Sequence, residues 1–175
     1  IPKEIDSVNT IVIDRTSGVP VLYGYNTDLI GFRDSLTGWL DRPVESALIF
    51  GSGGSSAAVK YVLKELGIEI FQVSRQPGPE SIDYRALTPD ILREHKLWIN
   101  CTPVGMFPHV EEELPLDFSQ LSNSHFLFDL IYNPTVSKFL EHGIRHGSKI
   151  KNGYEMLVLQ AEASWKIWST RSKWT

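Results

Sequence analysis

Apolar and polar positions along the chain follow two rhythms, and the texture changes near residue 46. Residues 8–13 and 19–25 are β-rich and are joined by Arg15-Thr16-Ser17-Gly18, which has turn chemistry; the pattern predicts a hairpin over 8–25. After Asn26-Thr27-Asp28, the residues Leu29, Phe32, Leu36 and Trp39/Leu40 recur at helical spacing, with Gly38 and Pro43 punctuating the end. From 46 onward strands and helices alternate. Residues 46–50 read as an apolar strand, broken by Gly51-Ser52-Gly53-Gly54-Ser55-Ser56, and 57–66 as a helix ended by Gly67. Further strands are expected at 68–73, 97–100, 125–132 (apolar except near Asp129) and 149–151. Thr88-Pro89, a cap followed by proline at the first helical position, opens a short helix to residue 95. Residues 135–146 read as another helix, with Gly147 after it. This alternation predicts an α/β fold with a parallel sheet covered on both faces.

The last segment, 154–168, is apolar around most of a helical circumference. At about 100° per residue, Glu155, Glu162, Lys166 and Ser169 form one narrow polar stripe, and Gln160 lies nearly opposite it among Leu157, Ser164 and Trp168.

Composition narrows the class. The 175 residues are 42% apolar and 22% charged, ordinary for a globular domain and unlike a disordered chain. No apolar run reaches the ~18 residues of a membrane span. Lys plus Arg number 17 against 21 Asp plus Glu, a net charge of −4, which argues against a nucleic-acid binder. The single cysteine, Cys101, cannot form an internal disulfide and suits a reducing, cytoplasmic setting. The chain opens Ile1-Pro2-Lys3-Glu4, with neither an initiator Met nor a signal-peptide pattern, so either something was removed or this is a piece of a longer chain.

The glycine-rich loop is the clearest chemical signal. Gly51-Ser52-Gly53 follows a strand and opens a helix, the context in which backbone approaches a pyrophosphate at a helix N-terminus. Ser56 stands where the fingerprint has a third Gly or Ala. At the end of the next strand, Val73-Ser74-Arg75-Gln76 carries an Arg, which accommodates a 2′-phosphate, in place of an acid that would bind a 2′-hydroxyl. NADP is therefore expected over NAD. Read locally, Asp28 is an N-cap. A Gln at 160 on an apolar face needs hydrogen-bond partners, from backbone or from substrate hydroxyls. Cys101 reads as a small buried residue, and the five His residues show no metal-ligand spacing; no metal is assigned.

Taken together, Asn9-Thr10, Gly24-Tyr25-Asn26-Thr27-Asp28 with Gly31-Phe32, the 51–56 loop, Asn100-Cys101-Thr102-Pro103-Val104-Gly105-Met106, Asp129-Leu130-Ile131-Tyr132-Asn133-Pro134, and Asn152-Gly153-Tyr154-Glu155-Met156-Leu157 with Gln160-Ala161 resemble the shikimate dehydrogenase family along essentially the whole chain. The resemblance implies an NADP-binding Rossmann-like domain facing a substrate domain across a cleft, and reversible reduction of 3-dehydroshikimate to shikimate in aromatic amino-acid biosynthesis. It implies that Asn9, Asp28 and Gln160 meet substrate hydroxyls, with Asp28 one half of a Lys–Asp catalytic pair. Ser52, Gly53, Gly54 and Ser55 would hold the pyrophosphate, and Ser74 and Arg75 the 2′-phosphate. Thr102, Tyr132, Gly153 and Met156 would line the nicotinamide side, Tyr132 counting also among the substrate groups.

The chain departs from the family in two places. The segment that usually reads Asn-Arg-Thr is Ser74-Arg75-Gln76 here. The family's catalytic Lys lies upstream of the segment matching Asn9, and no Lys of this chain matches it; Lys3 has the wrong context. The expected organisation is a partial substrate domain at 1–40, an NADP-binding domain at 44–153, and a helix at 154–175 returning to the substrate domain. The enzyme would be active at full length and this stretch alone inactive, and some of Trp39, Trp165 and Trp168 would be exposed. Two alternatives stand beside this: a non-catalytic dehydrogenase-like module of a quinate-responsive regulator, and a quinate/shikimate dehydrogenase using NAD. The oligomeric state is open, a homodimer included.

Overall fold

A computed structural model of the chain describes residues 7–171; Lys3 lies outside them. β1 (Thr10–Asp14) and β2 (Val21–Tyr25) form the expected antiparallel hairpin, with Thr10 opposite Tyr25. Its turn runs through Gly18 at φ 79°, a left-handed conformation that glycine adopts without penalty. α1 (Asp28–Thr37) follows. Thr27 occupies the N-cap position and makes no side-chain cap bond, so Asp28 is the first helical residue and not the cap.

The second sheet is built from β3 (Ser46–Phe50), β4 (Glu69–Val73), β5 (Ser81–Ile82), β6 (Leu97–Asn100), β7 (Phe126–Asp129) and β8 (Lys149–Lys151). All pairings are parallel and the spatial order is β5-β4-β3-β6-β7-β8, the doubly wound arrangement of a Rossmann-like fold. α2 (Gly54–Glu65), α3 (Pro89–Glu94), α4 (Lys138–Arg145) and α5 (Tyr154–Arg171) complete the chain.

The central strands are buried on both faces, which is why they read as unbroken apolar runs. Ala47, Ile49, Leu97, Ile99, Phe126 and Phe128 point to one side, where α1, α2 and α5 deliver Phe32, Leu36, Val59, Leu63 and Met156. Leu48, Phe50, Trp98 and Leu127 point to the other, against Leu92, Phe118, Phe139 and Leu140. Phe32 meets Phe128 edge-on at 5.3 Å, and Trp39 meets Phe126 at 5.4 Å. Residues before 44 therefore share the core of the sheet that follows. Trp39 is packed, whereas Trp165 and Trp168 are exposed. α1 and α5 approach closely at Gly31, where a Cβ would lie 2.6 Å from the Met156 carbonyl oxygen.

Several boundaries differ from the sequence reading for local reasons. α2 starts at Gly54, not 57, with Ser56 Oγ donating to the Gly53 carbonyl at 2.6 Å. β7 stops at Asp129, not 132, because the Asp129 carboxylate accepts the Ile131 N–H at 3.0 Å and turns the chain out of the ladder. α4 starts at Lys138, not 135, with Ser137 as its cap. β5 and the 3-10 turns at Tyr84–Ala86 and Phe118–Gln120 were not foreseen. Among the described residues no helix is long and apolar enough to cross a membrane.

Candidate functional site

Parallel register aligns the C-terminal ends of four strands. Phe50 pairs with Val73 and with Asn100, and Asn100 pairs with Asp129. The loops opening at Gly51, Ser74, Cys101 and Leu130 therefore leave from one sheet edge. The chain winds outward in opposite directions from β3 and β6, and such a switch point opens a crevice at that edge.

The glycine loop crosses the crevice. Gly51 has φ 107°, and a Cβ there would lie 2.9 Å from the Thr102 methyl group, so the fold itself requires glycine. Gly53 and Gly54 are different: an added Cβ would meet nothing within 4 Å at either. Internal packing does not explain them, and the bare backbone leaves room for a ligand to approach closely. The α2 N-terminus has no side-chain cap and no acidic residue in its first turn, which leaves its N–H groups and positive dipole end facing the crevice. Ser52 Oγ lies 3.2 Å from the Oγ of the buried Ser74, joining this loop to the end of β4, and Arg75 is exposed just beyond.

A cavity of about 480 Å³ lies beyond the loop, with Ser55, Cys101, Thr102, Met106, Leu130 and Tyr132 among its walls. A polar frame holds its two loops. Asn100 Oδ1 accepts from the Thr102 N–H (2.9 Å) and hydroxyl (2.7 Å), and Asn100 Nδ2 donates to Asp129 at 3.0 Å. Asp129 also accepts from Ser137 Oγ and the Ile131 N–H. Burial pushes the Asp129 carboxyl up to about 7, against the pull of these bonds. Burial, and the nearby Asp129, raise the Cys101 thiol above its usual range; the residue is half-buried at the cavity wall, not fully buried as the sequence suggested.

A second cavity of about 260 Å³ shares Ser55, Leu130 and Tyr132 with the first and adds Asn9, Asp28, Gly153, Met156 and Gln160. Here the hairpin, α1 and α5 converge. Asn9 Nδ2 donates to the Asp28 carboxylate at 3.0 Å, while Asn9 Oδ1 accepts the Thr27 N–H at 2.9 Å, which fixes the amide's orientation. Gln160 Nε2 donates to the Leu157 carbonyl at 3.1 Å, and its Oε1 lies 3.3 Å from the Thr27 hydroxyl. Burial raises the Asp28 carboxyl, partly offset by the Asn9 bond. Among the described residues no ion pair reaches Asp28. Gly153 is obligatory: a Cβ would fall 2.0 Å from the Leu130 carbonyl oxygen, and its N–H donates to the Ile131 carbonyl at 3.0 Å.

Beneath the Asn9–Asp28 pair is a hydroxyl cluster that sequence reasoning missed. Ser164 Oγ lies 2.6 Å from the Thr10 hydroxyl and 2.9 Å from that of Thr27, and it donates to the Gln160 carbonyl at 3.0 Å. All three residues are buried. If Ser164 accepts from both threonines, every proton is used once. The only sequence signal was Ser164 lying on the same face as Gln160.

No protein-family model matches the chain. A curated relative, the NADP(+) shikimate dehydrogenase of Clostridium botulinum strain Hall, is 34% identical across 94% of this chain and 66% of its own length. The chain thus spans about two thirds of the curated relatives it matches. Among solved structures, a chorismate mutase/shikimate 5-dehydrogenase fusion protein from Clostridium acetobutylicum is 35% identical with a TM-score of 0.78, covering 96% of this chain and 61% of that one. Shikimate 5-dehydrogenase from Thermus thermophilus, solved with NADP(H) and shikimate, is 28% identical with a TM-score of 0.79, covering 96% and 64%. Identity of this order sustained along nearly the whole chain, on the same backbone course, makes it a member of the shikimate dehydrogenase family.

Proposed function

We propose that the protein to which these residues belong is a shikimate dehydrogenase, reducing 3-dehydroshikimate reversibly to shikimate with NADPH. One observation carries this reading: two cavities meet across Ser55, Leu130 and Tyr132, one walled by hydrogen-bonding groups for a polyhydroxylated ring and the other continuous with a dinucleotide loop. In it, residues 44–153 form the NADP-binding unit, and 1–40 with 154–175 belong to the substrate domain.

NADPH, when bound, supplies the hydride. The chain's own groups do the rest. Ser52, Gly53, Gly54 and Ser55 at the α2 N-terminus hold the pyrophosphate, and Ser74 and Arg75 the 2′-phosphate. Thr102, Tyr132, Gly153 and Met156 enclose the reacting face, while Asn9, Asp28 and Gln160 orient the substrate hydroxyls. Reduction places negative charge on the ketone oxygen, which a positioned ammonium stabilises and protonates. Asp28 is the carboxylate of that pair. Its raised carboxyl supports this reading, because a cation brought beside a half-buried acid draws it back to the charged form. None of the described Lys residues stands beside Asp28, so the ammonium comes from outside them. The cytoplasm suits the lone thiol.

Loss of NADPH absorbance on adding 3-dehydroshikimate tests the proposal. The full-length protein is expected to turn over and residues 1–175 alone to bind NADPH with negligible turnover. A full-length protein that carries the upstream Lys yet leaves NADPH unconsumed would sink it in favour of the regulatory module.

A further inference from the structure

A third cavity, of about 380 Å³, lies beside the glycine loop and is lined by Ser52, Gly53, Lys60 and Gln72 among others. Lys60 stands in the second turn of α2, and its Nζ donates to Gln72 Oε1 and to Glu80 Oε2, both at 3.1 Å. Gln72 is a buried polar side chain in β4, which opens with the exposed Glu69 and is otherwise Ile70, Phe71 and Val73. Its Nε2 donates to the Gly51 carbonyl at 2.8 Å. A single amide therefore joins the Lys60 ammonium to the backbone of the glycine loop.

The direction of this cluster is informative. Gln72 and Ser74 are two residues apart and so share one face of the strand line, about 7 Å from each other. Ser74 in turn lies 3.2 Å from Ser52. Lys60 thus sits on the side of the loop where Ser74 emerges, and Arg75 is the next residue along the chain. Its two partners differ: Gln72 is buried, while the Glu80 side chain is 75% exposed. Lys60, with Lys64 adding its field, holds the Glu80 carboxyl below its usual range. An ion pair whose acid faces solvent is cheap to exchange for another anion.

We propose that Lys60 is a second cation for the phosphomonoester at the adenosine 2′ position, exchanging Glu80 for that phosphate and sharing it with Arg75. The inference rests on the NADP reading above. A dianionic phosphate beside one exposed Arg is incompletely matched, and Lys60 supplies the second charge from a helix rather than from the loop that carries Arg75. Gln72 keeps the Lys60 chain aimed at the glycine loop after Glu80 leaves.

The test is titration of the intact protein with NADPH and NADH by calorimetry, using wild type, Lys60→Met, Lys60→Arg and Glu80→Gln. Lys60→Met keeps the aliphatic stem and is expected to raise the NADPH Kd by about tenfold, with NADH within about twofold. Lys60→Arg should restore most of the NADPH affinity, and Glu80→Gln should tighten NADPH alone. Unchanged NADPH binding in Lys60→Met, or equal loss of both dinucleotides, overturns the role of Lys60 and leaves the dinucleotide reading standing. A Glu80→Gln protein that binds NADPH no more tightly than wild type overturns the exchange. Wild-type protein that binds neither dinucleotide overturns both.

Discussion

Replacing Ser164 by Ala removes one oxygen from the interior and leaves two buried hydroxyls to find new acceptors. Thr10 and Thr27, now 2.6 and 2.9 Å from Ser164 Oγ, are 1% and 0% exposed, so water does not take its place. A buried polar group left without a partner costs about 1–3 kcal/mol. Fallbacks lower that figure. Thr10 can turn to Asn9 Oδ1 at 3.2 Å, and Thr27 to the same oxygen at 3.1 Å, ahead of Gln160 Oε1 at 3.3 Å. Both bonds are longer than those they replace, so the expected loss is about 1–2 kcal/mol, or roughly 2–8 °C in Tm for a domain of this size. Urea unfolding of Ser164→Ala, Thr10→Val and the double variant measures it. The double variant removes the Thr10 hydroxyl and leaves only that of Thr27 to find a new acceptor, so it should cost clearly less than the sum of the singles. A single variant within about 0.3 kcal/mol of wild type, or a double variant equal to the sum, would refute the cluster as described.

Three other outcomes are expected. Asp129 titrates near 7 when folded and near 3.8 when unfolded, so the folded state holds the extra proton between those values and stability falls as pH rises from about 4 to about 7, by at most about 1.4 kcal/mol per pH unit; Asp129→Asn should flatten that slope, and an unchanged slope would move the titration elsewhere. Gly54→Ala should raise stability by about 0.5 kcal/mol, since the new methyl group meets nothing within 4 Å, while weakening NADPH at least about tenfold; unchanged affinity in a fluorescence titration would take the pyrophosphate away from this turn. Gly153→Ala forces a methyl group onto the Leu130 carbonyl and should cost about 3 kcal/mol or more in denaturant unfolding; a cost under about 1 kcal/mol would refute the close approach.

The sheet was legible because β3, β6 and β7 are buried on both faces and carry their signal in consecutive apolar residues. β5, two residues long, has no such signal and exists through its pairing with Gln72 and Val73. The glycine loop was legible because its chemistry is local. Asp28 shows the limit of local reading: its position suggested a cap, and its partner Asn9 is brought to it only by hairpin closure. Thr10, Thr27 and Ser164 were invisible for the same reason, since each looks like a surface hydroxyl until three elements meet. The Lys60–Gln72 contact left one trace, a Gln between the apolar Phe71 and Val73.

α5 borders the smaller cavity through Met156 and Gln160, a little over one turn apart. Met156 and Gln160 are separated by four residues of continuous helix, a rise of about 6 Å. The spacing of these two groups along the cavity wall is therefore a constant of the α-helical repeat, set by no loop. Loops around the crevice can lengthen, shorten or change composition without altering that spacing. An insertion or deletion of one residue between 156 and 160 would instead rotate Gln160 by about 100° out of the pocket, so evolution can retune this site by substitution but not by changing the length of this turn.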